Sequence, residues 1–63
     1  MDLTPRQAQI LDLVRNGKSN KEIAEVLGID RLTVGNHLRM LYVKAGIRDG
    51  GQKARERLKA LDI

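Results

Sequence analysis

The run Ser19-Asn20-Lys21-Glu22-Ile23-Ala24-Glu25-Val26-Leu27-Gly28-Ile29-Asp30-Arg31-Leu32-Thr33-Val34 decides the fold. Ser19 with Glu22 three residues later is a capping box. The hydroxyl accepts from a backbone N–H of the first turn, and the carboxylate accepts from the N–H of the cap residue. Ile23, Ala24 and Leu27 then fall on one helical face. Gly28 stops the helix, because glycine enters the left-handed conformation without a Cβ clash. Asp30 is a strong N-cap for a second helix. Ala24 lies four residues before Gly28, and Val34 six after it. Two helices that cross closely need a small residue at the crossing and a residue tolerant of positive φ in the turn. They also need apolar side chains to hold them, here Ile23, Leu27, Ile29 and Val34. The spacing leaves two readings. One is a helix-turn-helix, whose second helix lies in the DNA major groove. The other is an ordinary hairpin in a small helical bundle.

Two further helices flank this pair, and nothing in the chain reads as strand, repeat or low complexity. Upstream, Thr4-Pro5-Arg6-Gln7 forms a second capping box, with proline at the first helical position. Leu3 before the cap is placed as a hydrophobic staple. Ile10, Leu11, Leu13 and Val14 give the first helix its apolar face, and Asn16-Gly17 ends it. The third helix carries Val34, Leu38, Leu41, Tyr42 and Ala45 at helical period and stops at Gly46. Downstream, Asp49 with Gln52 predicts the start of a fourth helix, whose stripe is Ala54, Leu58 and Leu61. Gly50 and Gly51 weaken its first turn. The expected helices span about 5–16, 20–27, 31–45 and 50–62, within one all-α domain over 1–63.

Size and composition narrow the function. With 63 residues the chain is one domain, near the lower limit for unaided folding and too small for a deep catalytic cleft. It has no cysteine and a single histidine, His37, so a thiolate or multi-histidine metal site is excluded and no cofactor is expected. No paired carboxylates, glycine-rich phosphate loop or placed nucleophile is present, which argues against an enzyme. No apolar run approaches the roughly 20 residues of a membrane span. The N-terminus MDLTPRQ lacks the pattern of a signal peptide, so a cytoplasmic location is expected. The charge is uneven. Residues 1–30 hold four basic and five acidic residues, a net of −1, whereas residues 31–63 hold eight and three, a net of +5, together the overall +4. A basic half favours a polyanion, nucleic acid being the usual one, but it is equally consistent with a solvated surface. With one tyrosine, Tyr42, and no Phe or Trp, there is no platform for stacking single-stranded bases.

The face of the third helix opposite its apolar stripe holds Leu32, Asn36, Arg39, Met40 and Val43, with Thr33 and Gly35 beside it. Asn36 matches the bidentate pattern of adenine and Arg39 that of guanine, while apolar side chains suit thymine methyls. Each polar residue taken alone reads equally well as solvent-exposed. Three outward apolar residues point more firmly to a contact surface, with DNA or with protein. Lys21, Thr33 and Lys44 are candidate phosphate anchors, which position without specifying sequence. Lys21 and Lys44 also read as solvated charges. His37, at the edge of the stripe, is either half-buried packing or a phosphate contact.

LTPR, ILDLV, GKSNKEIAEVLGI, TV-NHL and LY-KAGIR, in register from Leu3 to about Arg48, resemble the LuxR (GerE-like) helix-turn-helix domain. The resemblance implies a four-helix domain in a bacterial transcription regulator, with the third helix in the major groove. It implies groove contacts at Gly35, Asn36 and Arg39, and backbone contacts near Lys21, Thr33 and His37. It also implies a homodimer surface on the fourth helix, at Ala54, Leu58 and Leu61, against which stands a monomer whose fourth helix only closes the core. The chain departs from the family pattern at Gly35, often lysine, at Leu32, often arginine, and in the segment RDGGQKARERLKALDI. There Lys53, Arg55, Arg57 and Lys59 either bind phosphates or form a solvated face. The expected function is sequence-specific binding of double-stranded DNA in transcriptional regulation. The alternative is a protein-interaction module on the same scaffold. A third reading, region four of a sigma factor with RNA polymerase as partner, is opposed by LYVKAGIR.

Overall fold

Four helices follow one another in the computed structural model, which describes residues 2–61: α1 Pro5–Arg15, α2 Asn20–Leu27, α3 Arg31–Ala45 and α4 Gly51–Lys59. The described residues contain no strand. Both expected capping boxes form. Thr4 Oγ1 accepts from the Gln7 N–H and Gln7 Oε1 from the Thr4 N–H, each at 3.1 Å. Ser19 Oγ accepts from the Glu22 N–H at 3.1 Å, and Glu22 Oε1 from the Ser19 N–H at 2.8 Å. Asp30 Oδ1 caps α3 through the Thr33 N–H at 2.7 Å. α1 closes at Arg15, one residue short of the expected end, with Asn16 as its cap.

The turn between α2 and α3 is built as its residues require. Gly28 takes φ +69°, and the Ile29 N–H returns to the Ala24 carbonyl at 3.0 Å. Ile29 thereby folds back onto the core. The core draws Ile10, Leu11 and Val14 from α1, Ile23 and Ala24 from α2, Val34, Leu38 and Leu41 from α3, and Leu58 from α4. Leu3, Leu27, Tyr42 and Leu61 pack against it, half-buried. α2 lies across α3, while α4 packs on α1 and α3.

α4 departs from expectation at both ends. Asp49 is not its cap. Its carboxylate pairs instead with Arg57, in the second turn of the helix, and lies 4.0 Å from Lys53. The N-cap is Gly50, which has no side chain to offer, and Gly51 enters the helix at φ +55°. A left-handed residue there needs glycine, so the Gly-Gly pair shapes the turn as well as weakening the helix. The helix ends at Lys59, with Ala60 as C-cap. Residue 62, placed in the helix from sequence, lies outside the described residues.

Two caps link stability to pH. Hydrogen bonds from Ser19 hold the Glu22 carboxyl below its ordinary pKa of 4.5. Those from Thr33 do the same for Asp30, below its ordinary 3.8. A depressed folded-state pKa contributes stability that is present above the unfolded value and lost as pH falls through the folded one. The melting temperature should therefore fall as pH drops below the ordinary carboxylate range. A Glu22→Gln, Asp30→Asn double variant should show a shallower fall when followed by circular dichroism, and an equally steep fall would assign the acid sensitivity elsewhere.

Candidate nucleic-acid interface

α3 has two faces of opposite character. Val34, Leu38 and Leu41 are buried, with Leu38 the most exposed of the three at 3%. On the far side Leu32, Met40 and Val43 are 77%, 48% and 67% exposed, although all are apolar. Asn36 and Arg39 are exposed between them. The residues 32, 36, 39 and 43 follow the i, i+4, i+7, i+11 rule, so they form one stripe about 16 Å long at 1.5 Å per residue. α3 carries Arg31, Arg39 and Lys44 and no acidic residue. A helix with side chains is about 10–12 Å across, the width of the B-DNA major groove at about 12 Å. The stripe is thus a convex, cationic and partly apolar edge of the right size for a groove.

The other predicted residues separate into those that join this edge and those that do not. Lys21 is exposed in the first turn of α2. Thr33 and His37, one turn apart on α3, are half-buried. Gly35 has an ordinary negative φ, and a Cβ added to it would meet nothing within 4 Å. No packing demand explains the glycine. Its effect is to leave a gap on the outward face beside Asn36 and Arg39.

Lys44, exposed at the end of α3, is engaged within the domain. Its ammonium donates to Gln7 Oε1 and to the Asp2 carbonyl, each at 2.7 Å. It ties the end of α3 to the N-terminus of α1, because a buried amide oxygen lies within its reach. Ala54 and Leu58 are both 0% exposed. They are part of the buried core. Leu61 is half-buried against the same core, and its carbonyl accepts from Arg15.

Sequence reasoning misses the uses to which the basic residues of α4 are put. Arg57 is held by Asp49, and Arg55 donates to Asn20 and to the Lys18 carbonyl. With Lys53 also 4.0 Å from Asp49, three of the four side chains Lys53, Arg55, Arg57 and Lys59 are engaged within the domain. The i, i+8 spacing of Asp49 and Arg57 is the one local hint. The reach of Arg55 across 35 residues leaves no trace in sequence.

Two helices locked by a three-residue turn, the second offering a cationic outward face, define a helix-turn-helix domain. Residues 1–56 match the family described as bacterial regulatory proteins, luxR family. The chain belongs to that family, whose helix-turn-helix is a DNA-binding module of transcriptional regulation. Over 45 residues it is 53% identical to the transcriptional regulatory protein MctR of Rhizobium johnstonii, an alignment that covers 71% of this chain and 21% of that protein. The chain thus spans about a fifth of the relative's length. No solved structure matches it. No helix among the described residues is long and apolar enough to cross a membrane.

Replacing Gly35 with alanine should stabilise the domain by about 1 kcal/mol, or roughly 4–8 °C in melting temperature. Thermal unfolding checks this, and a loss of stability would mean that the glycine is required by the fold.

Proposed function

We propose that the domain binds double-stranded DNA sequence-specifically, with α3 lying in the major groove. The observation that carries this reading is the outward stripe of α3. It places Asn36 and Arg39, two side chains with bidentate hydrogen-bonding capacity, between apolar residues on an edge without negative charge. In the proposed complex Arg39 donates to guanine and Asn36 pairs with adenine. Met40 lies against the bases beside them. Lys21, Thr33 and His37 contact the phosphate backbone, which fixes register without reading sequence. Lys44 is left out of this set because its ammonium is engaged by Gln7. Paired half-sites about 10 base pairs apart accommodate two copies, with Ala54 and Leu58 taking no part in the pairing.

A protein-docking role for the same face draws on the exposure of Leu32, Met40 and Val43. The two readings rank the residues differently. DNA binding depends on Arg39, whereas docking depends on Met40 and Leu32.

Fluorescence anisotropy on a duplex selected from a random pool tests the proposal. Log affinity should fall linearly with log salt, with a slope of about −0.9 per neutralised phosphate. Arg39→Ala should weaken the selected duplex by about 1–3 kcal/mol and relax preference at one base pair. Failure to select any preferred sequence, or an Arg39→Ala variant that binds as tightly as the parent, would contradict it.

A further inference from the structure

α4 packs on α1 and α3, while its backbone does not closely approach that of α2. One side chain crosses that gap. The Arg55 guanidinium donates through Nη1 to Asn20 Oδ1 at 2.6 Å, and through Nη2 to the carbonyl of Lys18. Asn20 is the first residue of α2, and Lys18 immediately precedes its cap, Ser19. The planar fork of an arginine spans two such acceptors at once, which a lysine ammonium on a flexible stem does not. Arg55, Ser19, Asn20 and Tyr42 line one cleft between the start of α2, α3 and α4. Among the described residues, no other side chain of α4 bonds to α2.

In a helix-turn-helix the first helix of the pair crosses the DNA backbone while the second enters the groove. The turn that Arg55 grips carries Lys21. We propose that Arg55 is a positioning residue for DNA binding, whose fork fixes the first turn of α2 relative to α3 and α4 and so sets how the helix pair meets the duplex. The proposal rests on the DNA-binding reading above. Its physical basis is preorganisation: a turn already held in the bound arrangement loses less freedom on association.

Tyr42 supplies an independent reporter. Burial raises the pKa of its hydroxyl, and the positive charge of Arg55 opposes that rise. Tyr42 is the single aromatic residue among Phe, Trp and Tyr in the chain, so phenolate absorbance reads this site alone.

The test compares Arg55→Gln, Arg55→Lys and Asn20→Ala with the parent chain, and with Lys59→Gln as a charge control on the same helix. Three readouts are taken: amide exchange at Ser19, Glu22 and Ile23, the phenolate titration, and anisotropy on the selected duplex. Arg55→Gln, Arg55→Lys and Asn20→Ala should each speed exchange at those amides and weaken binding by about three- to tenfold. Arg55→Gln should also move the phenolate midpoint to higher pH, while Arg55→Lys keeps the charge and holds it near the parent value. Lys59→Gln should leave all three readouts close to the parent. Should Arg55→Gln fail to fold, Asn20→Ala keeps the comparison, since it removes an acceptor and no charge. Full affinity in Arg55→Lys would show that charge alone matters, which overturns positioning. Faster exchange with unchanged affinity overturns it too. A parent chain that binds no duplex would instead overturn the DNA-binding reading, and the exchange and phenolate data would still report whether the clamp exists.

Discussion

The close crossing of α2 over α3 is the constraint on which the rest of the structure depends. Ala24 permits it, because a larger side chain at a packed crossing forces strain into its neighbours. Gly28 permits it differently, by turning the chain in a left-handed conformation, at φ +69°, that other residues resist. Ile23 and Val34, both fully buried, then fill the space between the two axes. Once the crossing is set, the face of α3 toward α2 and α1 is committed to the core, and the opposite face is committed to solvent. The outward face of α3 is thus a consequence of the packing rule.

The remaining elements hold that pair in place. α1 gives three residues to the core and is itself pinned to α3 through Gln7 and Lys44. α4 closes the last side with Ala54 and Leu58, and it reaches the start of α2 through Arg55. A domain of this size has little core to spare. Long polar side chains that bridge elements therefore take on a share of the positioning that burial supplies in larger proteins. Lys44 and Arg55 are both used this way, and neither is then free to act as a simple surface charge.

Local chemistry makes most of the fold legible in the sequence. Three helix starts are readable because each is marked by a side-chain cap within three residues, and α2 and α3 keep their expected bounds. The start of α4 is misleading because Asp49 has the right residue type for a cap. Its carboxylate is drawn instead to Arg57, and the left-handed Gly51 delays the helix by a residue. The outward face of α3 follows from helical period alone, so the places of Asn36, Arg39 and Met40 are legible in the residue pattern. Contacts between residues far apart in sequence are not. Lys44 with Gln7, and Arg55 with Asn20, depend on how helices dock, and no single-chain pattern encodes the meeting of two polar side chains across 35 or more positions. Whether the stripe of Ala54 and Leu58 closes the core or meets a partner is not legible either, because an apolar stripe looks the same whether its cover is the same chain or another.

If α3 meets DNA with its outward face while the start of α2 lies on the backbone, the contact should be visible residue by residue. Amide chemical-shift mapping of the isotope-labelled chain, titrated with its selected duplex, tests this most directly. The largest shifts are expected at residues 31–40 and at Lys21, with Ala54 and Leu58 barely moved. Shifts centred on α1, or on the exposed side of α4, with α3 unperturbed, would contradict it.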